Sequence, residues 1–295
     1  QNNYTTPTAI QVKTIPHILA GSDVMGSAQT GTGKTAAFVL PLLHKLLNTP
    51  KKDEPGIARV VILTPTRELA QQVFASFEKY AQGTNIQGAL AYGGASIGPQ
   101  IKALKTAQVI VATPGRLLDH IVKGSVVLSS VDSLVFDEAD RMLDMGFSTV
   151  VNQIAAEARW RKQNLLFSAT LEGKGVKTFA HDILNNPEIV EANPSRKEKN
   201  KIHQWYHLAD DMNHKQALLV NILKQETTTS AVVFVKTRDR LQMLKDFLAS
   251  QDIQVCWLQG EMPQDKRNAA MARFKSGEVP ILLATDVAAR GIDVP

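Results

Sequence analysis

Short apolar runs rich in Val and Ile alternate along this chain with longer segments whose apolar residues recur at the helical period. Parallel strands are buried on both faces, so they read as continuous apolar runs, and each needs a crossover to reach the next strand. The alternation therefore predicts an α/β fold with mostly parallel sheets flanked by helices. In the first part of the chain, the clearest strands are predicted at residues 59–64, 108–113, 133–137 and 164–168, and the clearest helices at residues 34–47, 68–80 and 149–159.

The same alternation resumes after residues 193–201, a stretch in which four basic residues stand against one Glu. Beyond it, strands are predicted at residues 202–208, 231–235, 254–258 and 281–284, and helices at residues 215–223, 238–250 and 266–275. We expect a first domain over residues 1–192, a basic interdomain linker over 193–201 and a second domain over 202–295. No helix follows the last predicted strand to cover it, so we expect the second domain to be incomplete.

Composition narrows the class of protein without identifying a partner. The 33 basic and 28 acidic residues give a formal net charge of +5, of which the basic stretch contributes +3, so a nucleic-acid partner is compatible with the charge but not implied by it. The single cysteine, Cys256, excludes an intrachain disulfide and a Cys/His zinc set, which predicts a reducing, cytoplasmic location. No apolar run approaches the ~20 residues of a membrane-spanning helix.

Residues 28–35 read Ala-Gln-Thr-Gly-Thr-Gly-Lys-Thr, between an apolar run and a predicted helix. This is the strand, loop and helix context of a phosphate-binding loop, although the strict pattern opens with Gly and not Ala. Gly31 and Gly33 allow the backbone N–H groups to face a polyphosphate, Lys34 supplies a charge to the terminal phosphates, and Thr35 can ligate Mg²⁺. The alternative is a glycine-rich turn with a surface lysine.

Asp137 and Glu138 follow a predicted strand, at the carboxyl edge where open α/β sheets bind ligands. Asp137 would hold Mg²⁺, and Glu138 would orient or deprotonate the attacking water. The alternative is an acidic helix N-terminus favoured by the helix dipole. A phosphate-binding loop upstream favours the catalytic interpretation.

Residues 137–140 read Asp-Glu-Ala-Asp, and with them the chain resembles the DEAD-box RNA helicases. Other motifs of that family are matched in order: the Q motif at residues 7–11, motif Ia at 65–70, two further RNA-contacting elements at 93–94 and 113–116, motif III at 168–170, motif IV at 233–238 and motif V at 284–293. The resemblance implies two RecA-like domains whose cleft closes on ATP and single-stranded RNA.

The resemblance also implies a role for each matched residue. ATP and Mg²⁺ would bind Gln11, Gly31, Thr32, Gly33, Lys34, Thr35, Asp137, Glu138 and, from the second domain, Asp293. RNA would contact Arg67, Gly94, Thr113, Arg116, Arg238 and Thr285 through its backbone, with Ser168 and Thr170 coupling the two sites. Lys34, Asp137 and Glu138 would be the catalytic set, and the activity would be RNA-stimulated ATP hydrolysis that remodels RNA duplexes or ribonucleoproteins.

Within the family, residues 159–163, 193–196 and 201–206 most resemble a bacterial subfamily that acts in large ribosomal subunit assembly. Ribosomal RNA and assembly particles are therefore the implied partners. The chain departs from the family at Asn3, Tyr4 and Gln259, and it ends before motif VI, which carries the arginine fingers, so we expect a truncated protein that alone is weakly active or inactive. Two alternatives remain, a non-catalytic RNA clamp and another P-loop enzyme such as a kinase or transporter ATPase.

Overall fold

The computed structural model describes residues 5–28, 31–49, 57–171, 173–192, 203–260 and 262–285. The chain divides into two compact units, Gln1–Lys199 and Asn200–Pro295. That division falls within the basic stretch expected to be the linker, whose own residues lie outside the described ranges. Each unit has its own sheet, and every strand pair in both sheets is parallel.

The first unit contains seven strands and eight helices among its described residues. The strands are β1 (Val24–Ser27), β2 (Val60–Leu63), β3 (Gly88–Ala91), β4 (Val109–Ala112), β5 (Ser133–Asp137), β6 (Gln163–Ser168) and β7 (Glu188–Glu191). The helices are α1 (Ala9–Ala20), α2 (Lys34–Asn48), α3 (Arg67–Ala81), α4 (Ile97–Leu104), α5 (Pro114–Val122), α6 (Ala139–Asp144), α7 (Ser148–Glu157) and α8 (Lys174–Ile183).

The seven strands lie in the order β3-β4-β2-β5-β6-β1-β7. Both faces of the central strands are buried: Leu134 and Phe136 of β5 join one apolar cluster, whereas Val135 between them joins the other. Strands buried on both faces cannot alternate polar and apolar residues, which explains their continuous apolar runs in the sequence. The predicted α/β fold with parallel sheets is confirmed.

The second unit has a smaller sheet of three strands in the order β8-β10-β9. Its described elements are α9 (Met212–Leu223), β8 (Ala231–Val235), α10 (Arg238–Ser250), β9 (Cys256–Leu258), α11 (Gln264–Lys275) and β10 (Ile281–Thr285). The central strand β10 alternates between two clusters, with Leu282 on one face and Leu283 on the other. The predicted helix at residues 215–223 begins earlier, at Met212, because the Asp211 carboxylate accepts a hydrogen bond of 2.7 Å from the His214 N–H and caps the first turn.

The strand predicted at residues 202–208 is wrong over its described part. Residues 203–208 have no regular secondary structure and pair with none of the described strands. Their β-favouring composition includes Trp205 and Tyr206, whose exposed fractions are 83% and 88%. Strand propensity reflects packing on a sheet surface, and without a paired neighbour these side chains remain in solvent. In the described ranges, no helix is long and apolar enough to cross a membrane.

Candidate functional site at the carboxyl edge of the large sheet

The loop between β1 and α2 ends at Gly33, whose φ of +88° is in the left-handed region. A Cβ at Gly33 would lie 2.6 Å from Gln11 Nε2 and 3.0 Å from Thr8 Oγ1, so a larger residue would displace the start of α1. Gly31 also has a left-handed φ, of +82°, with open space where a Cβ would be. The described part of the loop therefore needs glycine for two reasons, backbone conformation and close approach, and both fit a phosphate-binding loop.

Lys34 is the first residue of α2, and its side chain meets the carboxylate of Asp137, the last residue of β5. Lys34 Nζ lies 3.9 Å from Asp137 Oδ1, and the two side chains are 7% and 4% exposed. Asp137 Oδ1 is buried and has no hydrogen-bond partner. Burial raises the pKa of Asp137, and the Lys34 ammonium opposes that rise. The fold thus brings together two groups that sequence analysis assigned to one site from separate motifs.

Glu138 follows Asp137 with φ +54° and ψ 51°, a left-handed conformation that is uncommon outside glycine. Its carboxylate is buried, and Arg141 Nη1 lies 2.9 Å from Oε2 without hydrogen-bond alignment. Burial raises the pKa of Glu138, and the neighbouring Asp137 carboxylate raises it further. Two adjacent buried carboxylates with raised pKa values are typical of a reactive or metal-binding site.

Gln11 connects the start of α1 to the phosphate-binding loop. Its Oε1 accepts a hydrogen bond of 3.0 Å from the Thr8 N–H, and its Nε2 donates one of 3.2 Å to the Gly33 carbonyl. A side-chain amide has two donor hydrogens and two acceptor lone pairs, so one donor and one acceptor position are left after these bonds. Those positions suit a ligand that offers both a donor and an acceptor, as an adenine ring does.

Ser168 and Thr170 form a turn directly beside the strand that leads into the loop. Ser168 Oγ donates to the Thr170 carbonyl at 2.7 Å and accepts from the Thr170 N–H at 3.3 Å. The Ala28 N–H donates to the Ser168 carbonyl at 3.2 Å, and Ser27 Oγ donates to the Ala169 carbonyl at 3.3 Å. The turn is therefore bonded to the base of the phosphate-binding loop.

The predicted RNA-contacting residues of the first unit lie on the connections that leave β2, β3 and β4 at the same edge. Arg67 begins α3, and its guanidinium packs on Gly94, where a Cβ would overlap it. The Thr113 N–H donates to the Ala91 carbonyl at 3.0 Å, and Thr113 precedes the first residue of α5. The structure thus brings these three elements together beside the candidate nucleotide site.

Arg116 is more enclosed than its predicted phosphate contact suggests. Its side chain is 13% exposed, its Nη1 donates to the Ala95 carbonyl at 3.0 Å, and its Nε lies 3.6 Å from Asp119 Oδ2. Nε is buried without a hydrogen bond. Arg116 therefore binds the protein with one end of its guanidinium and retains an unsatisfied donor.

In the second unit, Arg238 begins α10 and Thr285 ends β10, both at the carboxyl edge of the small sheet. A Cβ at Gly260 would lie 3.1 Å from Arg238 Nη2, so the guanidinium packs over this glycine. Thr285 is paired in register with Val235, the last residue of β8. Asp293 lies outside the described residues.

Sequence analysis did not identify two buried polar residues, Gln100 of α4 and His120 of α5, whose helices follow β3 and β4 at this edge of the sheet. The buried residues of α5 are Pro114, Leu117 and His120, spaced three apart along one face. A histidine on an otherwise apolar helical stripe is the signal that could have identified this group.

A family model described as DEAD/DEAH box helicase matches residues 8–179, and one described as Helicase conserved C-terminal domain matches residues 214–295. The chain is 51% identical over 293 residues to the ATP-dependent RNA helicase SrmB of Escherichia coli (strain K12), a match covering 99% of this chain and 66% of that protein. It is 49% identical over 295 residues to SrmB of Haemophilus influenzae, covering 100% of this chain and 67% of that protein. The chain thus spans about two thirds of the length of these relatives.

The structure is similar to the crystal structure of a hypothetical ATP-dependent RNA helicase from Sulfolobus tokodaii, with a TM-score of 0.60 and 35% sequence identity. The match covers 99% of this chain and 82% of the helicase chain. The predicted fold of two RecA-like domains is confirmed. SrmB is the bacterial subfamily that the three segments of the sequence resemble, and both matches confirm that likeness.

Proposed function

The chain belongs to the DEAD/DEAH box helicase family, and from that membership we propose that it is the core of an ATP-dependent RNA helicase. In this proposal it binds single-stranded RNA through the RNA backbone and, with ATP, locally remodels RNA duplexes or ribonucleoproteins. The first domain would span residues 1–192 and the second domain residues 202–295, joined by the linker at 193–201.

The observation that carries the proposal is the meeting of Lys34 Nζ and Asp137 Oδ1 at 3.9 Å. A buried carboxylate oxygen without a hydrogen bond is unfavourable unless a ligand completes it. Mg²⁺ prefers oxygen ligands and keeps several waters, and the hydroxyl of Thr35 lies one residue beyond Lys34 at the start of the same helix. The residues present therefore fit a magnesium nucleotide, which would be held by Thr35 and Asp137.

Each protein group has a defined task in ATP hydrolysis. Lys34 binds the terminal phosphates, and the backbone N–H groups of Gly31, Thr32 and Gly33 cradle them. Mg²⁺ neutralises charge on the phosphates when it is bound. Glu138 orients and deprotonates the attacking water, a task that its raised pKa favours because a base acts best when its pKa approaches the working pH.

Gln11 reads adenine with the donor and acceptor that its bonds to Thr8 and Gly33 leave. Asp293, which lies outside the described residues, is proposed as a further nucleotide-binding residue. Ser168 and Thr170 couple the two ligands, because their turn is bonded to the base of the phosphate-binding loop.

RNA contacts Arg67, Gly94, Thr113 and Arg116 at the carboxyl edge of the large sheet and, in the second unit, Arg238 and Thr285 at the carboxyl edge of the small sheet. Arginine side chains, hydroxyls and exposed backbone N–H groups bind phosphates and sugars without reading bases, so the core selects single strands and not sequences. By its likeness to SrmB, we propose ribosomal RNA and large-subunit assembly particles as partners, and the cytoplasm as the location.

The test is binding of a fluorescent single-stranded RNA to the chain, followed by anisotropy with Mg²⁺ and with or without a non-hydrolysable ATP analogue. We expect the analogue to tighten RNA binding, and Lys34→Ala to abolish that dependence by removing the phosphate contact. Lys177→Ala, which removes an exposed lysine of α8, is the matched control. The proposal would be overturned if RNA affinity were the same with and without the analogue and the same in Lys34→Ala as in the parent.

A further inference from the structure

The turn from Tyr92 to Ala95, called here the glycine turn because it contains Gly93 and Gly94, is held by side chains from three helices. Gln71 of α3 donates Nε2 to the Tyr92 hydroxyl at 3.1 Å. Gln100 of α4 donates Nε2 to the Tyr92 carbonyl at 3.1 Å. Arg116 of α5 donates Nη1 to the Ala95 carbonyl at 3.0 Å. These bonds fix both ends of a turn that glycine would otherwise leave free.

The bond from Gln100 continues inward to His120. Gln100 Oε1 lies 3.1 Å from His120 Nε2, and the two residues are 7% and 0% exposed. The Gln100 Nε2 is already committed to the Tyr92 carbonyl, so Oε1 must act as the acceptor and His120 must carry its proton on Nε2. A chain of two hydrogen bonds then runs from the middle of α5, through Gln100, to the glycine turn.

The same arrangement leaves the other nitrogen of the His120 imidazole unsatisfied, which lowers stability. His120 Nδ1 is buried without a hydrogen-bond partner, and a buried unsatisfied acceptor is unfavourable. A helix that needed only packing would carry a residue such as Leu117, which occupies the same face one turn earlier and is fully buried. The imidazole offers what leucine cannot, a donor to Gln100 Oε1.

We propose that Gln100 and His120 are positioning residues that hold the glycine turn in its RNA-binding shape. The inference rests on the proposed function, in which the glycine turn and the start of α5 contact RNA. Neither residue touches RNA: His120 orients Gln100, and Gln100 orients the Tyr92 carbonyl. Because α5 carries both His120 and Arg116, the relay also fixes the distance between the glycine turn and the start of α5, two of the three RNA-contacting elements of the first unit.

Substitutions at His120 separate a positioning role from simple packing. In His120→Gln, the side-chain amide nitrogen reaches the place of the imidazole Nε2 and can donate to Gln100. In His120→Asn, the amide reaches only the place of Nδ1, and in His120→Leu the donor is lost while apolar volume is kept. We expect RNA affinity to fall about fivefold to tenfold in His120→Leu and His120→Asn, because the competent turn becomes a minor conformer, and to recover in His120→Gln.

The measurements use the full chain, a fluorescent single-stranded RNA and a fluorescent ATP analogue. Nucleotide affinity is expected to stay unchanged in all three variants, because the relay lies outside the nucleotide site. The matched control is His181→Leu, a histidine of α8 whose side chain is 90% exposed, with RNA affinity expected to equal that of the parent. Equal RNA affinity in His120→Leu and the parent, or failure of His120→Gln to recover what His120→Leu loses, would overturn the inference.

Two further measurements keep the inference falsifiable if His120→Leu folds poorly. Gln100→Glu keeps the shape and the acceptor for His120 but replaces the donor to the Tyr92 carbonyl, so it should weaken RNA binding to a similar extent. Imidazole ¹⁵N shifts should report protonation of His120 on Nε2, and a proton on Nδ1 would overturn the relay. If the parent chain binds no RNA, the proposed function fails and the inference falls with it; if the parent binds and the variants bind equally well, only the inference fails.

Discussion

At the amino-terminal edge of the seven-stranded sheet, buried polar side chains bond to one another and to the backbone, whereas at the carboxyl edge several buried polar atoms have no hydrogen-bond partner. Asp23, directly before β1, shows the first behaviour. Its carboxylate accepts from the Asn164 N–H at 2.7 Å, from Asn164 Nδ2 at 3.0 Å and from the Asn185 N–H at 2.8 Å. One carboxylate thereby joins the start of β1, β6 and the connection that follows α8.

Gln163, at the start of β6, uses its whole amide in the same way. Its Nε2 donates to the carbonyls of Ile18 and Ser22 at 3.0 and 2.7 Å, and its Oε1 accepts from Lys45 Nζ at 2.9 Å and Ser133 Oγ at 3.3 Å. All four positions of the amide are filled, which leaves nothing for a ligand. This edge is built for stability.

The carboxyl edge is different. The unsatisfied buried side-chain atoms among the described residues are Asp137 Oδ1, Glu138 Oε2, Arg116 Nε and His120 Nδ1. The first two belong to the end of β5 and the residue after it, and the other two belong to α5, the helix that follows β4 at this edge. Buried polar atoms are nearly always hydrogen-bonded, so a concentration of exceptions marks a place where a ligand completes the structure or where function opposes stability. The same residue type, aspartate, therefore has opposite consequences at the two edges.

The largest expected effect is at the amino-terminal edge. Asp23→Asn replaces a carboxylate that accepts three hydrogen bonds with an amide whose NH₂ group must face at least one of the same N–H donors. The substitution should lower the free energy of unfolding by about 3 kcal/mol. Urea unfolding, monitored by hydrogen exchange of the backbone amides in the first unit, measures the change. Asp182→Asn, at a carboxylate whose side chain is 58% exposed, should change stability by less than about 0.5 kcal/mol. Equal stability in both variants would contradict the structural role of this edge.

The next effect is catalytic and belongs to the carboxyl edge. Glu138→Gln keeps the side-chain shape but removes the base, so in a chain extended through motif VI RNA-stimulated phosphate release should fall by ~100-fold while nucleotide binding persists. Fluorescent-nucleotide titration and steady-state phosphate release separate the two quantities. Unchanged turnover in Glu138→Gln would remove Glu138 from the proposed mechanism.

Asp137→Asn repeats the substitution of Asp23 at the opposite edge and should have a much smaller effect on stability. A neutral amide is easier to bury than a carboxylate without a hydrogen bond on Oδ1, but it leaves the buried Lys34 ammonium without its counter-charge at 3.9 Å. Because the two effects oppose each other, the free energy of unfolding of the ligand-free chain should change by no more than about 1 kcal/mol. Binding of the magnesium nucleotide should weaken in the same variant. If ligand-free Asp137→Asn is destabilised as strongly as Asp23→Asn, the contrast between the two edges is broken.

Sequence predicted the carboxyl edge better than the amino-terminal edge for a physical reason. Phosphate-binding loops and carboxylates at strand ends rely on residues close together in the chain, such as Gly31, Gly33 and Lys34, so their spacing survives as a readable motif. Asp23 and Asn164 are 141 residues apart, and no local pattern announces that they will bond. The amino-terminal network follows from the strand order, which was not predicted.

Two local features were also beyond the sequence. The left-handed backbone of Glu138 is set by its place at the end of β5, since glutamate itself has no preference for that conformation. The exposed segment at residues 203–208 has a strand-like composition, but a strand forms only where another strand supplies its hydrogen bonds. In both places the surrounding structure decided what composition could not.

The smallest expected effect tests the unsatisfied ring of His120 by pH. Burial lowers the pKa of His120 below 6.5, with Arg116 and Lys123 lowering it further and Asp119 opposing them, while Gln100 from α4 contributes no charge. Below pH 6.5 the unfolded chain therefore binds a proton that the folded chain refuses, so stability rises with pH through this window and is lost as the pH falls. Between pH 7 and pH 6 this single histidine should account for a loss of stability whose upper bound, set by the ordinary pKa of 6.5, is about 0.7 kcal/mol. His120→Gln has no such titratable group, so its stability relative to the parent should improve by that amount as the pH falls from 7 to 6. Urea unfolding of the first unit at the two pH values measures the difference. A difference that does not depend on pH would mean that His120 is as readily protonated in the folded protein as in the unfolded one.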